Sequence, residues 1–422
     1  MKSRSLAATL AASTALVLAG SLSACSGGSG TDGKAVLEFQ TAQSVDSPVY
    51  AQLEAITAAF EEENPDVDID LKTGADDYEP QMKVRLAARN APDIWATHGW
   101  SLLRYSQFLA PLQDEPWAEN FDDVLEPVMK NDSGEFFALP VTTSASGLIY
   151  NRTVLEDAGV DPAGLTSWDA LADAAEAVKA NGVVPFSLAG SKDGSAGNLV
   201  DWIAPGGFTD DELAKMSDGE FQEDAYADLL GVLADMKTDG WTNVDYTSAT
   251  GDDMARSLAE GTSAFALSTN ALVTLAWTYN PDADLSYMPV PPLDGGDPYL
   301  IGGEDTAFGV AKDGDNVEIA KEYLAFLAQP ENASALAAAV GNPPGLTNAE
   351  PDLGALTDPF EQYVASGTVP LEPFFDRVYL PNGMWDSVVT TADGVLAAQS
   401  TPAEGAAKMA GDFDTLFSQS SN

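Results

Sequence analysis

The amino-acid sequence predicts an α/β protein of two domains, and three observations predict it. Short strand-like runs alternate with longer amphipathic helical runs, the pattern that covers sheets with helices. Stop and cap residues fall at the joints between these runs. The chain has 422 residues, 45% of them hydrophobic, enough for a large core and for two domains. No period of about 20–50 residues repeats, which argues against a solenoid or propeller.

Val36-Leu37-Glu38-Phe39 reads as the first strand. Tyr50 to Phe60 carries apolar residues at helical spacing, and Glu63-Asn64-Pro65 stops it. Val67-Asp68-Ile69-Asp70-Leu71 alternates as a half-buried strand should. A second helix, around Pro80 to Ala88, ends at Asn90 and leads into a strand at Pro92-Asp93-Ile94-Trp95. Thr166-Ser167-Trp168-Asp169 predicts a capping box for a helix running to Ala180. Asn181-Gly182 closes that helix, and Val183-Val184-Pro185-Phe186 returns to strand. From about Ala320 onward helices dominate, with Trp385 inside the one expected over Asn382 to Ala398.

The N-terminus is a different kind of segment. A basic start (Lys2, Arg4), an apolar run from Leu6 to Gly20 and small residues before Cys25 follow the order of a secretory signal. The apolar run is short for a bilayer span, and no second run approaches that length. Leu22-Ser23-Ala24-Cys25 resembles a bacterial lipobox, which implies removal of 1–24 and lipidation of Cys25. Residues 25–34 then form a Ser/Gly-rich tether to the outer face of the cytoplasmic membrane. Cys25 is the only cysteine, so an intramolecular disulfide or cysteine-rich zinc site is impossible. Without Lys2 and Arg4, 17 basic residues face 66 acidic ones, a difference of −49. Such a field repels phosphate backbones and argues against nucleic acid as partner. The acids are scattered in turns and beside helix starts, as a solvated surface requires.

From Val36 to the C-terminus the chain resembles the extracellular solute-binding proteins of ABC importers, in the branch that serves carbohydrates. The most specific stretch is Pro140-Val141-Thr142-Thr143-Ser144-Ala145-Ser146-Gly147-Leu148-Ile149-Tyr150-Asn151, continuing to Leu155-Glu156-Asp157. Supporting matches are Phe60 to Pro65, Ala87 to Ile94, Glu260 to Phe265, Ile301-Gly302-Gly303 and Ala320 to Leu324. The resemblance implies a two-lobed periplasmic-binding-protein-like fold with hinge-crossing segments and a ligand cleft between the lobes. Carried onto this chain, lobe one is expected over 35–142 and 269–328, and lobe two over 143–268 and 329–422. It further implies a monomer that closes on a small carbohydrate and delivers it to separate permease subunits. The Pro140–Asn151 stretch supports this physically, being apolar at both ends and hydroxyl-rich in the middle, with no breaker until Gly147. Such a segment suits a crossing between lobes, where ligand sites concentrate.

A sugar offers hydroxyls on its rim and C–H faces on its flats, so planar aromatics, amides, carboxylates and hydroxyls are sought. The loop after the first strand offers Gln43, Ser44 and Asp46, at the carboxyl edge where such folds bind ligands. Thr97-His98-Gly99-Trp100 follows the Pro92–Trp95 strand, where the family places a ligand loop. Trp100 is expected to stack on sugar. His98 is the only histidine, so it belongs to no multi-histidine metal site. Ser144 lies in the crossing segment. Asn198 and Trp202 lie in a Gly-rich loop running into an apolar helix, and Trp202 suits core cover equally well. Asn270 stands where many relatives carry Trp, and Trp277 is several residues late to replace it. Gly302-Gly303-Glu304 resembles the loop whose backbone approaches ligand. Trp385 and Asp386 begin the penultimate helix, where the family places a stacking aromatic.

Enzymatic readings find less support. There is no Gly-x-Ser-x-Gly elbow, P-loop or Rossmann fingerprint. Lys312-Asp313-Gly314-Asp315-Asn316 lacks the spacing and terminal Glu of an EF-hand. Neither cofactor nor metal is expected. The alternatives to a sugar are a cationic or peptide-like solute and, more remotely, a glycoside hydrolase.

Overall fold

The computed structural model describes residues 33–74, 78–190, 194–293 and 295–420. The leader, Cys25 and most of the tether lie outside them. The first sheet holds β1 (Ala35–Gln40), β2 (Val67–Lys72), β3 (Ile94–Ala96), β4 (Leu139–Pro140) and β11 (Ala307–Val310), in the order β2-β1-β3-β11-β4. β1 runs parallel to β2 and β3, while β11 is antiparallel to β3 and β4. β2 buries Val67 and Ile69 and exposes Asp68 and Asp70, the expected edge-strand alternation. Leu37 and Phe39 of β1, and Ile94 and Trp95 of β3, are fully buried.

The helix Pro48–Glu63 packs on this sheet. Ser47 caps it by accepting from the Tyr50 N–H, proline occupies the first turn, and Asn64 ends it. It turns Val49, Leu53, Ile56 and Phe60 inward, where Phe60 meets Tyr323 edge to face at 5.0 Å. The helix Trp168–Ala180 is capped by Ser167 alone. Its third residue is Ala170, whose methyl group has no acceptor to complete the expected box.

The second lobe holds β6 (Leu148–Asn151), β7 (Val184–Phe186), β8 (Ser263–Leu267) and β9 (Leu285–Met288), in the order β7-β8-β6-β9. Helices pack around it, with Trp202, Tyr226, Phe375 and Met409 inside one large cluster. A three-stranded sheet of β12 (Leu371–Pro373), β10 (Leu300–Glu304) and β5 (Thr143–Ser146) sits between the lobes.

As expected, the Pro140–Asn151 stretch crosses from one lobe to the other, running through β4, β5 and β6. It is hydrogen-bonded to a returning segment, with Ser144 paired to Gly303 and Pro140 to Ala307. Gly147 is required at its bend, since a Cβ there would lie 2.0 Å from the Met288 carbonyl oxygen. A third crossing runs near 341–353, where Thr143 N–H donates to the Pro343 carbonyl.

The packing groups two intervals differently from the partition expected above. β9 pairs with β6, and Leu272, Val273, Ala276, Leu300 and Ile301 sit in second-lobe clusters, so 271–301 packs there. The helix Pro330–Val340 instead lies against Pro48–Glu63, with Leu336 and Val340 in the first-lobe core. The alternation of apolar residues sets which face of an element is buried but not which lobe receives it.

Candidate functional site

The crossings bring two walls face to face around a cleft of about 720 Å³, within the usual range for small-molecule sites. On the first-lobe wall, the helix Tyr78–Ala87 supplies Tyr78, Glu79 and Lys83. Tyr78 Oη donates to the Ala96 carbonyl at 2.6 Å, which fixes that helix against β3. After β3, His98 (φ 50) and Gly99 (φ 81) both adopt left-handed backbone and swing His98 into the cleft. Crowding by protein and the nearby Arg377 lower the pKa of His98, favouring a neutral ring with one donor and one acceptor.

Trp100 lines the same wall but is only 6% exposed. The Arg104 guanidinium lies 4.0 Å from its ring centroid, and that of Arg377 lies 5.9 Å away. Arg104 is ion-paired with Glu79, whose Oε2 also accepts from Tyr105 Oη at 3.0 Å. One flat of Trp100 is therefore covered by Arg104, which corrects the expectation of an open stacking surface.

On the second-lobe wall, the helix Ser195–Ile203 supplies Asn198, Asp201 and Trp202. Trp202 is buried as a pillar behind the cleft. Its Nε1 donates to the Gly147 carbonyl at 3.1 Å, and Phe374 meets it edge to face. Trp385 and Asp386 open the helix Trp385–Leu396 and both line the cleft, Trp385 half-buried and Asp386 exposed. The indole is seated on two glycines. A Cβ on Gly197 would lie 2.8 Å from its Cη2, and one on Gly194 would lie 3.1 Å from its Cζ2.

Beside Trp385 stand two carboxyls in contact. The Asp376 N–H donates to Asp201 Oδ1 at 2.9 Å, and both residues are buried. Burial, reinforced by Asp376, pushes the Asp201 carboxyl well above its usual range. Burial raises Asp376 as well, while the adjacent Arg377 pulls it down. Such a pair favours one proton held between two acids, offering both a donor and acceptors.

The remaining expected residues are not gathered here. Gln43 and Ser44 bond within their own loop, and Asp46 is exposed outside the cleft lining. Gln43 Oε1 accepts from Ser47 Oγ and its carbonyl from the Gly74 N–H, and Ala42 lines the cleft in their place. Ser144 is fully buried between the crossing strands, sharing hydrogen bonds with Ser146 and the Ile301 carbonyl. Asn270 turns inward to Asn342 and the Ala145 carbonyl, leaving neighbouring Thr269 at the cleft. Gly302 makes room for Leu371, whose Cβ would lie 2.9 Å from an added Cβ, and Gly303 of β10 pairs with Ser144 of β5. Glu304 sits behind the cleft, accepting from Thr97 Oγ1 at 2.8 Å and Ser101 Oγ at 2.7 Å. Burial raises its pKa and these bonds oppose the rise. Trp277 lines a separate shallow depression of about 430 Å³.

The expected residues that do converge on the cleft are His98, Trp100, Asn198, Trp202, Trp385 and Asp386. Sequence reading missed Glu79, Lys83, Arg104, Asp201, Asp305, Asp376 and Arg377. Some were within reach. Arg104 is four residues after Trp100, and Asp201 is three after Asn198, so each shares a helical face with its partner. Asp376-Arg377 is a charged pair directly after two phenylalanines. Among the described residues, no three His, Cys, Asp or Glu side chains gather as a metal site.

Comparison with known proteins agrees with this architecture. The melibiose/raffinose/stachyose-binding protein MelE of Bacillus subtilis is 33% identical over 373 residues, covering 86% of each chain. A sugar transporter of Bacillus licheniformis, solved with stachyose, is 32% identical with a TM-score of 0.84, covering 90% of this chain and all of that one. The Bacillus subtilis binding protein MsmE, solved in an open conformation, is 31% identical with a TM-score of 0.79 over 92% of this chain and 99% of its own. The model of the bacterial extracellular solute-binding protein family matches residues 44–334. The chain belongs to the bacterial extracellular solute-binding protein family.

Proposed function

We propose that this protein captures a short oligosaccharide in the interlobe cleft and delivers it to an ABC permease, without acting on it chemically. The observation that carries this reading is the half-exposed indole of Trp385, seated on Gly194 and Gly197 beside Asp376, Asp201 and Asp386. A flat ring offers a face to sugar C–H groups, while carboxyls and guanidiniums take the hydroxyl rim. MelE and the stachyose complex, both above 30% identity, point to galactose-containing oligosaccharides as the first ligands to test. Ligand contacting both walls would stabilise the closed form by its differential affinity for that state. The lipobox-like Leu22–Cys25 supports lipid anchoring at the outer face of the cytoplasmic membrane, with the protein acting as a monomer.

The cleft gives the alternatives less support. Lys83, Arg104 and Arg377 line it among the acids and work against a cationic solute. The Asp201 and Asp376 side chains are within hydrogen-bonding reach of each other, whereas glycosidase carboxyl pairs stand about 5–9.5 Å apart. Calorimetry against melibiose, raffinose, stachyose, polyamines and peptides tests the reading. Binding of an oligosaccharide tighter than about millimolar is expected (about −4 kcal/mol or better). A polyamine or peptide binding with no oligosaccharide response, or sugar cleavage products, would overturn it.

A further inference from the structure

Two arginines, one from each lobe, reach across the cleft and meet at Trp100. Arg104 belongs to the first-lobe wall, lies over the Trp100 ring, and donates from Nε to Asn382 Oδ1 at 3.0 Å. Asn382 is in the second lobe, in the turn that leads into the helix bearing Trp385. Arg377 follows β12 in the second lobe and reaches the other way. Its guanidinium lies 3.9 Å from the Phe374 ring centroid, and its Nη1 donates to the Glu304 carbonyl at 2.5 Å. Glu304 is itself tied to the first lobe through Thr97 and Ser101. Gly99 leaves the space Arg377 occupies, since a Cβ there would lie 1.9 Å from Nη1.

We propose that Arg104 and Arg377 form an interlobe clasp that holds the lobes together before ligand arrives and so sets the closed population of the empty protein. The geometry is that of a fastening. Each guanidinium is planar and oriented by an aromatic face, so little freedom is lost on bonding across the gap. Arg104 donates to a neutral oxygen of the opposite lobe, and Arg377 to the Glu304 carbonyl at the end of the interlobe sheet, both charge-assisted bonds. A clasped empty state raises affinity by lowering the cost of closure, because binding no longer has to supply all of it.

Small-angle scattering of the ligand-free protein tests the clasp independently of which solute binds. The variants are Asn382→Ala, which is exposed and outside the cleft lining, Arg377→Met, and the two combined. The wild type is expected to scatter as a mainly closed form. The double variant is expected to shift the closed-to-open ratio at least tenfold toward open (about 1.4 kcal/mol), with an unchanged circular dichroism spectrum. Asn382→Ala alone should move in the same direction by less, which keeps the test decisive where Arg377→Met does not fold. Identical scattering from wild type and Asn382→Ala, or a wild type already open, would overturn the proposal.

Discussion

On the first-lobe wall the large aromatic, Trp100, is 6% exposed and has a guanidinium over its ring. On the second-lobe wall Trp385 is half-buried on a seat of two glycines. The charged groups differ in the same sense. Arg104 and Glu79 of the first wall are paired with each other, whereas Asp201 and Asp376 of the second are two buried acids held side by side. A paired charge is satisfied before ligand arrives. Two contacting acids hold hydrogen-bonding capacity that a hydroxyl-rich ligand can use. The difference suggests a division of roles, with the second-lobe wall selecting the ligand and the first-lobe wall closing over it.

That division can be broken at several points. The largest effect is expected from Trp385→Ala, which should weaken oligosaccharide binding at least tenfold (about 1.4 kcal/mol) in calorimetry, with the melting temperature nearly unchanged. Gly197→Ala leaves every polar group in place but pushes a methyl against the indole at 2.8 Å and against Val389 at 2.7 Å. It should weaken binding about three- to tenfold, and unchanged affinity would mean that the seat does not position the ring.

A third test concerns the acid pair. Because Asp201 is held above its ordinary range, the folded protein keeps a proton that the unfolded chain releases near pH of about 4. The stability this group contributes is therefore full below that pH and is lost as pH rises through the raised folded value. Asp201→Asn should raise the melting temperature relative to wild type at neutral pH, with the gap closing toward a pH of about 4. A gap independent of pH would contradict the arrangement. The smallest effect is expected from Gln43→Ala and Asp46→Ala, in a loop whose side chains lie outside the cleft lining. Each should leave affinity within about twofold, and a larger loss in calorimetry would place that loop in the site.

Much of the fold was legible because local physics dictates it. Ser47-Pro48 and Asn64-Pro65 bracket a helix in any context, and Val67–Leu71 can bury only alternate residues. The crossing at Pro140–Asn151 was legible because hydroxyls between two apolar ends suit a buried strand that must satisfy polar neighbours. The site was legible only in part, and the errors share a cause. Ser144, Asn270 and Glu304 are polar residues near the cleft in sequence, but their side chains face inward to the hinge or to Thr97 and Ser101. The direction of a side chain at a strand end depends on register between segments some 150 residues apart, which spacing does not encode. Arg104 and Arg377 were missed for the same reason, since their meaning comes from meeting at Trp100 across the lobes.

The central claim is that the second-lobe wall recognises the ligand, and the most direct test is a crystal structure of the protein with stachyose bound. A pyranose ring stacked on Trp385, with hydroxyls on Asp376 or Asp201 and Arg104 still over Trp100, is the predicted result. A ring stacked on Trp100 with Arg104 displaced, or a sugar seated away from Trp385, would contradict it.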